Sequence, residues 1–133
     1  MPTYDEIRFT PPAPVAQVTL RTLDGSAQLA DVPMLLDTGA DVSLVPRGAV
    51  EKLGLAEEAP EGFRLVGFDG TSSTASVVEL ELRLAERSFR GRFLLFDQEW
   101  GILGRNVLNH LRILYDGPRL RWDPQPGASR SRP

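Results

Sequence analysis

The chain of 133 residues contains no cysteine and only one histidine, His110. Without cysteine, neither a disulfide framework nor a thiolate metal site can form, and one histidine cannot build a zinc site. We therefore expect no metal and no cofactor. His110 is expected to lie on a helix surface or to take part in packing.

Long apolar runs and an excess of positive charge are also absent. No apolar run approaches the ~20 residues that a membrane helix needs. The 15 basic residues are scattered and the formal net charge is −3, which argues against nucleic acid as a partner. No basic stretch followed by an apolar core opens the chain, so no signal peptide is expected. These features favour a soluble, cytoplasmic protein with no membrane partner.

Proline-rich segments mark the two ends of the chain. Residues 1–14 contain Pro2, Pro11, Pro12 and Pro14 and predict an extended N-terminal arm. Residues 124–133, PQPGASRSRP, predict a flexible tail. The interval 15–123 is expected to form one domain, because a chain of this length fits one domain and its hydrophobic content of 41% is enough for a core.

Alternation of apolar and polar residues dominates the interval between arm and tail. Residues 78–84 alternate valine or leucine with charged residues, a pattern that predicts a half-buried strand. Residues 16–20 show the same period, and the Asp24-Gly25 pair after them predicts a hairpin turn. Residues 105–111 give the best helix pattern. The sequence therefore predicts an all-β fold with a short C-terminal helix.

The most informative segment is residues 33–46, PMLLDTGADVSLVP. An apolar run ends at Asp37, which is followed by a hydroxyl residue, a glycine and a small residue before a second apolar run. A buried strand that ends in an ionised carboxylate is costly, because the charge needs partners away from water. Chains tolerate that cost mostly where the acid does chemistry. An ordinary turn is the simpler alternative, since aspartate and glycine are both turn residues.

This segment resembles the active-site loop of the retropepsin-like aspartic proteases, which reads apolar-apolar-Asp-Thr/Ser-Gly-Ala/Ser. The family's second signature, two apolar residues and a glycine before a short helix, is matched by residues 102–108, ILGRNVL. The resemblance covers about residues 15–122. It implies a closed all-β barrel with one short C-terminal helix, and an aspartic endopeptidase that hydrolyses peptide or protein substrates with Asp37 as the catalytic residue.

Hydrolysis of a peptide bond by carboxylates needs two of them, one to activate a water and one to protonate the carbonyl oxygen. The chain has one Asp-Thr-Gly and is too short to hold two copies of the fold. The second carboxylate must therefore come from a second chain. This predicts a homodimer with two Asp37 residues astride a two-fold axis, and the resemblance implies the same assembly.

The resemblance also implies roles for the neighbours of Asp37. Thr38 would hydrogen-bond across the dimer, and a local turn hydroxyl is the alternative. Gly39 would let substrate or partner backbone approach closely. Ala40 stands where many relatives carry serine, so the carboxylate loses one hydrogen bond and activity is expected at mildly acidic pH.

Two further features are assigned by resemblance, and Trp100 is a candidate because its loop precedes the second signature. Arg105, in the first turn of the predicted helix, would pair with Asp41, and a solvated arginine is the alternative. A glycine-rich hairpin would close over the substrate as a flap, and a plain surface hairpin is the alternative. The flap residues would be Gly67, Phe68, Asp69 and Gly70. Trp100 would either line a substrate pocket or pack against neighbouring residues.

Two other functions stay open at this point. The same dimer could be non-catalytic and bind peptides or serve as an interaction module, with Asp37 kept for structure. The intact Asp-Thr-Gly argues against that reading. A monomeric β-barrel binder in which the motif is coincidental is the third possibility, and the mass of the protein in solution would separate it from the dimeric protease.

Overall fold

The computed structural model describes residues 2–57, 64–66, 72–74 and 76–127. In these residues the regular secondary structure is almost entirely β-strand, which confirms the predicted fold class. The strands are β1 (Thr3–Asp5), β2 (Ala13–Arg21), β3 (Gln28–Leu36), β4 (Leu44–Pro46), β5 (Arg64–Val66), β6 (Ser72–Thr74), β7 (Val77–Leu84), β8 (Arg87–Phe96), β9 (Gly101–Leu103), β10 (Arg112–Asp116) and β11 (Arg121–Gln125).

Two short helices accompany the strands, where the expected fold had one. Helix α1 (Arg47–Lys52) follows β4, and α2 (Arg105–Leu108) follows β9. Helix α2 is shorter than predicted, because the N–H groups of His110 and Leu111 bond to carbonyls three residues back rather than continuing the α-helical pattern. In the described part of the chain, no helix has the length and apolar character needed to cross a membrane.

The main sheet has the strand order β10-β11-β1-β2-β3-β9-β4-β8-β7. Strand β2 also pairs with β7, with Leu20 opposite Leu82. This extra pairing closes six strands, in the order β2-β3-β9-β4-β8-β7, into a barrel. The closed barrel that the sequence led us to expect is therefore confirmed, while β5 and β6 pair with each other in a separate two-stranded sheet.

The barrel core follows the alternation in the sequence. Leu80, Leu82 and Leu84 of β7 are buried, whereas Glu79 before Leu80 and Arg83 between Leu82 and Leu84 are exposed. The same strand therefore faces the core on one side and water on the other, as its period of two predicts. Removing these apolar side chains from water is the main driving force for closing the barrel.

A hydrogen-bonded turn joins β2 to β3 at the predicted position. The Asp24 carboxylate accepts hydrogen bonds from the Ser26 N–H (2.9 Å), the Ser26 hydroxyl (2.7 Å) and the Thr22 hydroxyl (2.8 Å). These bonds, above all the one from the Ser26 N–H, lower the pKa of Asp24 to about 2. Gly25 has φ +75°, a conformation that glycine adopts without strain.

The two ends of the described chain are attached to the barrel. Strand β1 lies within the segment predicted as an arm and pairs with β2 and β11. Strand β11 extends to Gln125, two residues into the segment predicted as a tail. Trp122 of β11 is 4% exposed and donates its indole N–H to the Val15 carbonyl at 3.1 Å. The β10–β11 hairpin is therefore anchored on β2.

Strands β3 and β9 run parallel at the centre of the sheet. Met34 lies opposite Gly101, and Leu36 lies opposite Leu103. A Cβ on Gly101 would lie 2.5 Å from the carbonyl oxygen of Leu44, so only glycine allows β9 to approach β4 this closely. The parallel pair ends with its last residues side by side, and the two signature segments of the sequence therefore leave the sheet together.

Candidate active site

Asp37 directly follows β3 and begins a tight turn. Its N–H donates to the Leu103 carbonyl at 3.0 Å, which extends the contact with β9 by one residue. The Gly39 N–H donates to Asp37 Oδ1 at 2.9 Å, and the Ala40 N–H donates to the Asp37 carbonyl at 3.1 Å. The half-buried carboxylate is therefore held in one orientation at the end of a buried strand, as the sequence pattern predicts.

The two residues after Asp37 leave its carboxylate accessible. A Cβ on Gly39 would lie 3.1 Å from Asp37 Oδ1, so glycine gives the loop N–H room to reach the carboxylate. Thr38 is exposed. Within the described ranges its hydroxyl has no hydrogen-bond partner, so the local turn contact that was the alternative for Thr38 is absent there.

The start of α2 holds the other end of the loop. The Arg105 N–H donates to the Ala40 carbonyl at 2.8 Å, and the Asn106 N–H donates to the Asp41 carbonyl at 3.3 Å. A Cβ on Gly104 would overlap the carbonyl group of Val42. The glycine of the second signature is therefore required because two backbone segments touch at this point.

Ser43 is a site residue that the sequence reading missed. It is 1% exposed, donates its hydroxyl to Asn106 Oδ1 at 2.8 Å and accepts the Gly104 N–H at 2.9 Å. It thereby joins the segment after Asp37 to both ends of the Gly104–Asn106 turn. A signal was available, because Ser43 interrupts an apolar run between Val42 and Leu44, and a buried hydroxyl needs partners.

The expected ion pair between Asp41 and Arg105 is not formed within the described protomer. Arg105 donates its Nη1–H to the Thr38 carbonyl at 2.7 Å instead, and no ion pair of the described residues joins it to Asp41. Both residues are exposed, so a bond between them would contribute little to stability. The Asp41 carbonyl is instead bonded to the Asn106 N–H, and the Arg105 guanidinium braces Thr38, the residue next to Asp37.

A second arginine fixes the loop of residues 97–100. Arg47, at the start of α1, donates its Nε–H to Asp97 Oδ1 at 2.6 Å and forms an ion pair with Glu57. The hydrogen bonds to Glu57 and then to Asp97 raise the pKa of the Arg47 guanidinium. One cation therefore ties α1 to the loop that leads into β9.

Trp100 packs in that loop rather than standing free. Its ring makes edge-on contacts with Phe9 at 4.9 Å and with Phe96 at 5.1 Å between centroids. These contacts favour the packing role for Trp100. His110 lies just after α2, with its ring 5.9 Å from that of Phe89, and is exposed as expected.

The described residues add neither the predicted flap nor a metal site to this arrangement. Gly67, Phe68, Asp69 and Gly70, the predicted flap, lie outside the described residues. A cleft of about 710 Å³ lies between α1, the first half of β3 and residues 96–99, and none of residues 37–41 lines it. Over the part of the chain that the structure covers, no group of three or more acidic or histidine side chains could hold a metal ion.

The buried hydroxyl of Ser43 generates a stability prediction. Ser43→Ala should lower the free energy of unfolding by about 1–3 kcal/mol, because it leaves the buried Gly104 N–H without an acceptor. Chemical denaturation monitored by tryptophan fluorescence measures the change. Ser88→Ala, at an exposed position of β8, is the matched control and should stay within about 0.5 kcal/mol. Equal effects of the two substitutions would contradict the role assigned to Ser43.

Comparison with known proteins shows the family to which the chain belongs. The family whose sequence model matches the chain is described as aspartyl protease, and the match covers residues 13–107. That range includes the first signature segment, residues 33–46, and all of the second except its last residue, Leu108. No curated protein sequence matches the chain.

Two solved structures share the fold. A retropepsin-like aspartic protease from Rickettsia conorii has a TM-score of 0.60 at 12% identity, over 91% of this chain and 84% of that one. The EIAV protease in complex with the inhibitor HBY-793 has a TM-score of 0.56 at 23% identity, over 74% of this chain and 86% of that one. The resemblance drawn from the sequence is confirmed: the chain has a retropepsin-like fold and belongs to the aspartyl protease family.

Proposed function

We propose that this chain is an aspartic endopeptidase that works as a homodimer, with one Asp37 from each protomer in a shared site. The observation that carries the proposal is a site with one carboxylate. Asp37 is oriented by the Gly39 N–H, and no hydrogen bond or ion pair links it to a second acid in the described protomer. Membership of the aspartyl protease family supports the reaction class.

The chemistry follows from two carboxylates that share one proton. The ionised Asp37 takes a proton from a water, whose oxygen attacks the carbonyl carbon of the peptide bond. The protonated Asp37 of the other subunit gives its proton to the carbonyl oxygen, so a neutral gem-diol forms. Return of a proton to the amide nitrogen accompanies cleavage of the carbon–nitrogen bond, and the products are a carboxylic acid and an amine.

The protomer prepares this chemistry by fixing its half of the site in advance. The turn at Asp37 is held by β9 through Leu103 and by α2 through Ala40. A carboxylate that is already oriented loses little free energy when it enters the transition state. Substrate binding in an extended form between two protomers also agrees with the exposure of Thr38 and Gly39 and with the position of residues 37–41 outside the cleft beside α1.

Thr38 has a separate role in this proposal. Its exposed hydroxyl lacks a partner in its own described protomer, and a two-fold axis beside Asp37 would bring it against the partner's loop. A hydrogen bond there would fix the distance between the two carboxylates. We therefore propose Thr38 as a positioning residue of the dimer.

Substitution of Asp37 tests the shared site through a mixing experiment. Asp37→Asn should abolish peptide hydrolysis and leave a folded dimer. When it is added in equal amount to a fixed concentration of wild-type chain and the dimers exchange, activity should fall to about one half, because random pairing leaves half of the wild-type chains in mixed dimers. Cleavage of a fluorogenic peptide library measures both effects.

Glu79→Gln, on the exposed face of β7, is the control: it keeps Asp37, so its mixture with the wild type should show the sum of the two separate activities. Wild-type activity that is insensitive to added Asp37→Asn chain would show that each chain works alone. Absence of cleavage by the wild-type dimer, with peptide binding retained, would favour the non-catalytic interaction module instead.

Thr38 gives a second prediction. Thr38→Val should weaken dimer association by about 1–3 kcal/mol, since it removes a hydroxyl that is buried only in the dimer. Thr38→Ser keeps the hydroxyl and should associate nearly as the wild type does. Sedimentation velocity over a dilution series measures both constants. If valine and serine behave alike, the cross-dimer hydrogen bond does not exist.

A further inference from the structure

The cleft beside α1 is separate from the candidate active site, although one strand reaches both. The cleft has a volume of about 710 Å³, and none of residues 37–41 lines it. Clefts that hold ligands in proteins commonly measure about 300–1,000 Å³. Strand β3 lines the cleft from Leu29 to Pro33 and then continues to Asp37. The cleft is therefore large enough for a ligand and is joined to Asp37 by a continuous strand.

The less exposed part of the cleft lining is apolar. Val32, Pro46 and Ala49 are buried, and Leu29 and Phe96 are half-buried. We call these five residues the floor of the cleft. An apolar group that lies on the floor leaves water together with the surface it covers, and this favours binding.

Gly48 leaves space on the α1 side of the cleft, where the backbone does not require a glycine. Its φ is not positive. A Cβ built on Gly48 would have no atom within 4 Å beyond its own stretch of helix. A glycine in a helix costs stability relative to alanine. Because Gly48 lines the cleft, its missing side chain keeps open a space that a ligand can use.

A β-bulge brings a carboxylate to the opposite wall. The register of β2 and β3 shifts so that Ala30 and Asp31 together oppose the single residue Thr19. Asp31 has φ +58°, a left-handed conformation that aspartate tolerates better than most residues but that still costs free energy. Ala30 and Asp31 are exposed and line the cleft. Bulges commonly re-aim side chains beside functional sites, and this one adds a carboxylate to the cleft.

Two of the three cations that line the cleft are already paired. Arg8 forms an ion pair with Asp5 at 2.6 Å. Arg47 donates to Asp97 at 2.6 Å and also forms an ion pair with Glu57. These two arginines therefore have carboxylate partners within the protomer and do not require an anionic ligand.

The other ionisable side chains of the lining have no such partners. Within the described ranges, Asp31, Glu99 and Lys52 form no hydrogen bond or ion pair, and all three are exposed. Two acids and one lysine are thus available, so a ligand with a positive charge is complementary to the cleft. Gln98, which also lines it, offers an amide that can both donate and accept.

We propose that this cleft is a second binding site of each protomer, and that it takes an extended peptide segment in which an apolar side chain stands next to a lysine or arginine. The apolar side chain lies on the floor beside Gly48, and the basic side chain bonds to Asp31 or Glu99. Lys52 and Gln98 bond to peptide groups of the segment, which a simple amine would not supply. The inference rests on the proposed function in one respect, since the segment belongs to a protein substrate that is cleaved elsewhere.

Peptide binding to the Asp37→Asn chain tests the cleft without cleavage. The probe is a peptide with blocked ends that carries Leu-Lys between Gly-Ser flanks, and peptides with Ser-Lys and with Leu-Glu are the comparisons. In two-dimensional NMR, Leu-Lys should shift the amide signals of Ala30, Gly48 and Ala49. It should bind about tenfold more tightly than Ser-Lys, because leucine is buried on the floor. It should also bind more tightly than Leu-Glu, because glutamate faces the free acids.

Two substitutions in the same background separate the parts of the site. Gly48→Leu fills the cleft and should raise the dissociation constant of the Leu-Lys peptide about tenfold or more. Gly91→Leu is the matched control, because a Cβ there also meets no atom within 4 Å and Gly91 does not line the cleft. Asp31→Asn keeps a residue that tolerates a positive φ and should weaken Leu-Lys more than a Leu-Gln peptide. Thermal melts verify that each variant is folded.

Kinetics of the wild-type chain then test whether the cleft serves a substrate. In a series of peptides that vary the spacer between a Leu-Lys segment and the cleaved bond, the best spacer should lower KM relative to a peptide with Ser-Glu in its place. Gly48→Leu should remove that difference, and Gly91→Leu should keep it. A KM that ignores the segment at every spacer length would overturn the substrate role.

The outcomes distinguish this inference from the proposed function. A Leu-Lys peptide that shifts only the signals of Gly39 and Ala40, or that binds Gly48→Leu as tightly as the parent chain, overturns the cleft site. Binding in the cleft without any cleavage by the wild type would support the site and reject the protease. Cleavage by a wild type whose cleft signals never shift would keep the protease and reject the site.

Discussion

The backbone of Gly104 lies against the carbonyl groups of Ala40 and Val42, and the geometry of the candidate site depends on that contact. It brings the first N–H groups of α2 to the loop after Asp37, where they bond to its carbonyls. Ser43 reinforces the contact from the core side with two hydrogen bonds. The carboxylate is thus oriented by backbone geometry, which costs no reorganisation when a substrate binds.

Asp37 has no second acid bonded to it in the described protomer, and the proposed dimer would supply that second carboxylate. Two features of the described protomer are without a partner inside it. The Thr38 hydroxyl has no partner in its described protomer, and the open edge of β10 exposes Leu114 between opposite charges.

Much of this organisation could be predicted from the sequence. The alternation of apolar and charged residues predicted strand β7. The two signature segments predicted the fold and the position of Asp37 at the end of a strand. Each prediction rests on a pattern of residues that are near one another in the sequence. The partner of Arg105 and the role of Ser43 could not be read locally. Arg105 bonds to a backbone carbonyl 67 residues away in sequence, and Ser43 bonds to Asn106 63 residues away. A pattern of side chains does not reveal which carbonyl a guanidinium will meet.

The stoichiometry of a transition-state analogue tests the central claim most directly. A peptide with a hydroxyl group in place of the scissile carbonyl mimics the gem-diol and should bind more tightly than the substrate. Native mass spectrometry of the complex should give about one inhibitor per two chains, since two Asp37 residues form one site. One inhibitor on each single chain, with no dimer present, would contradict the account.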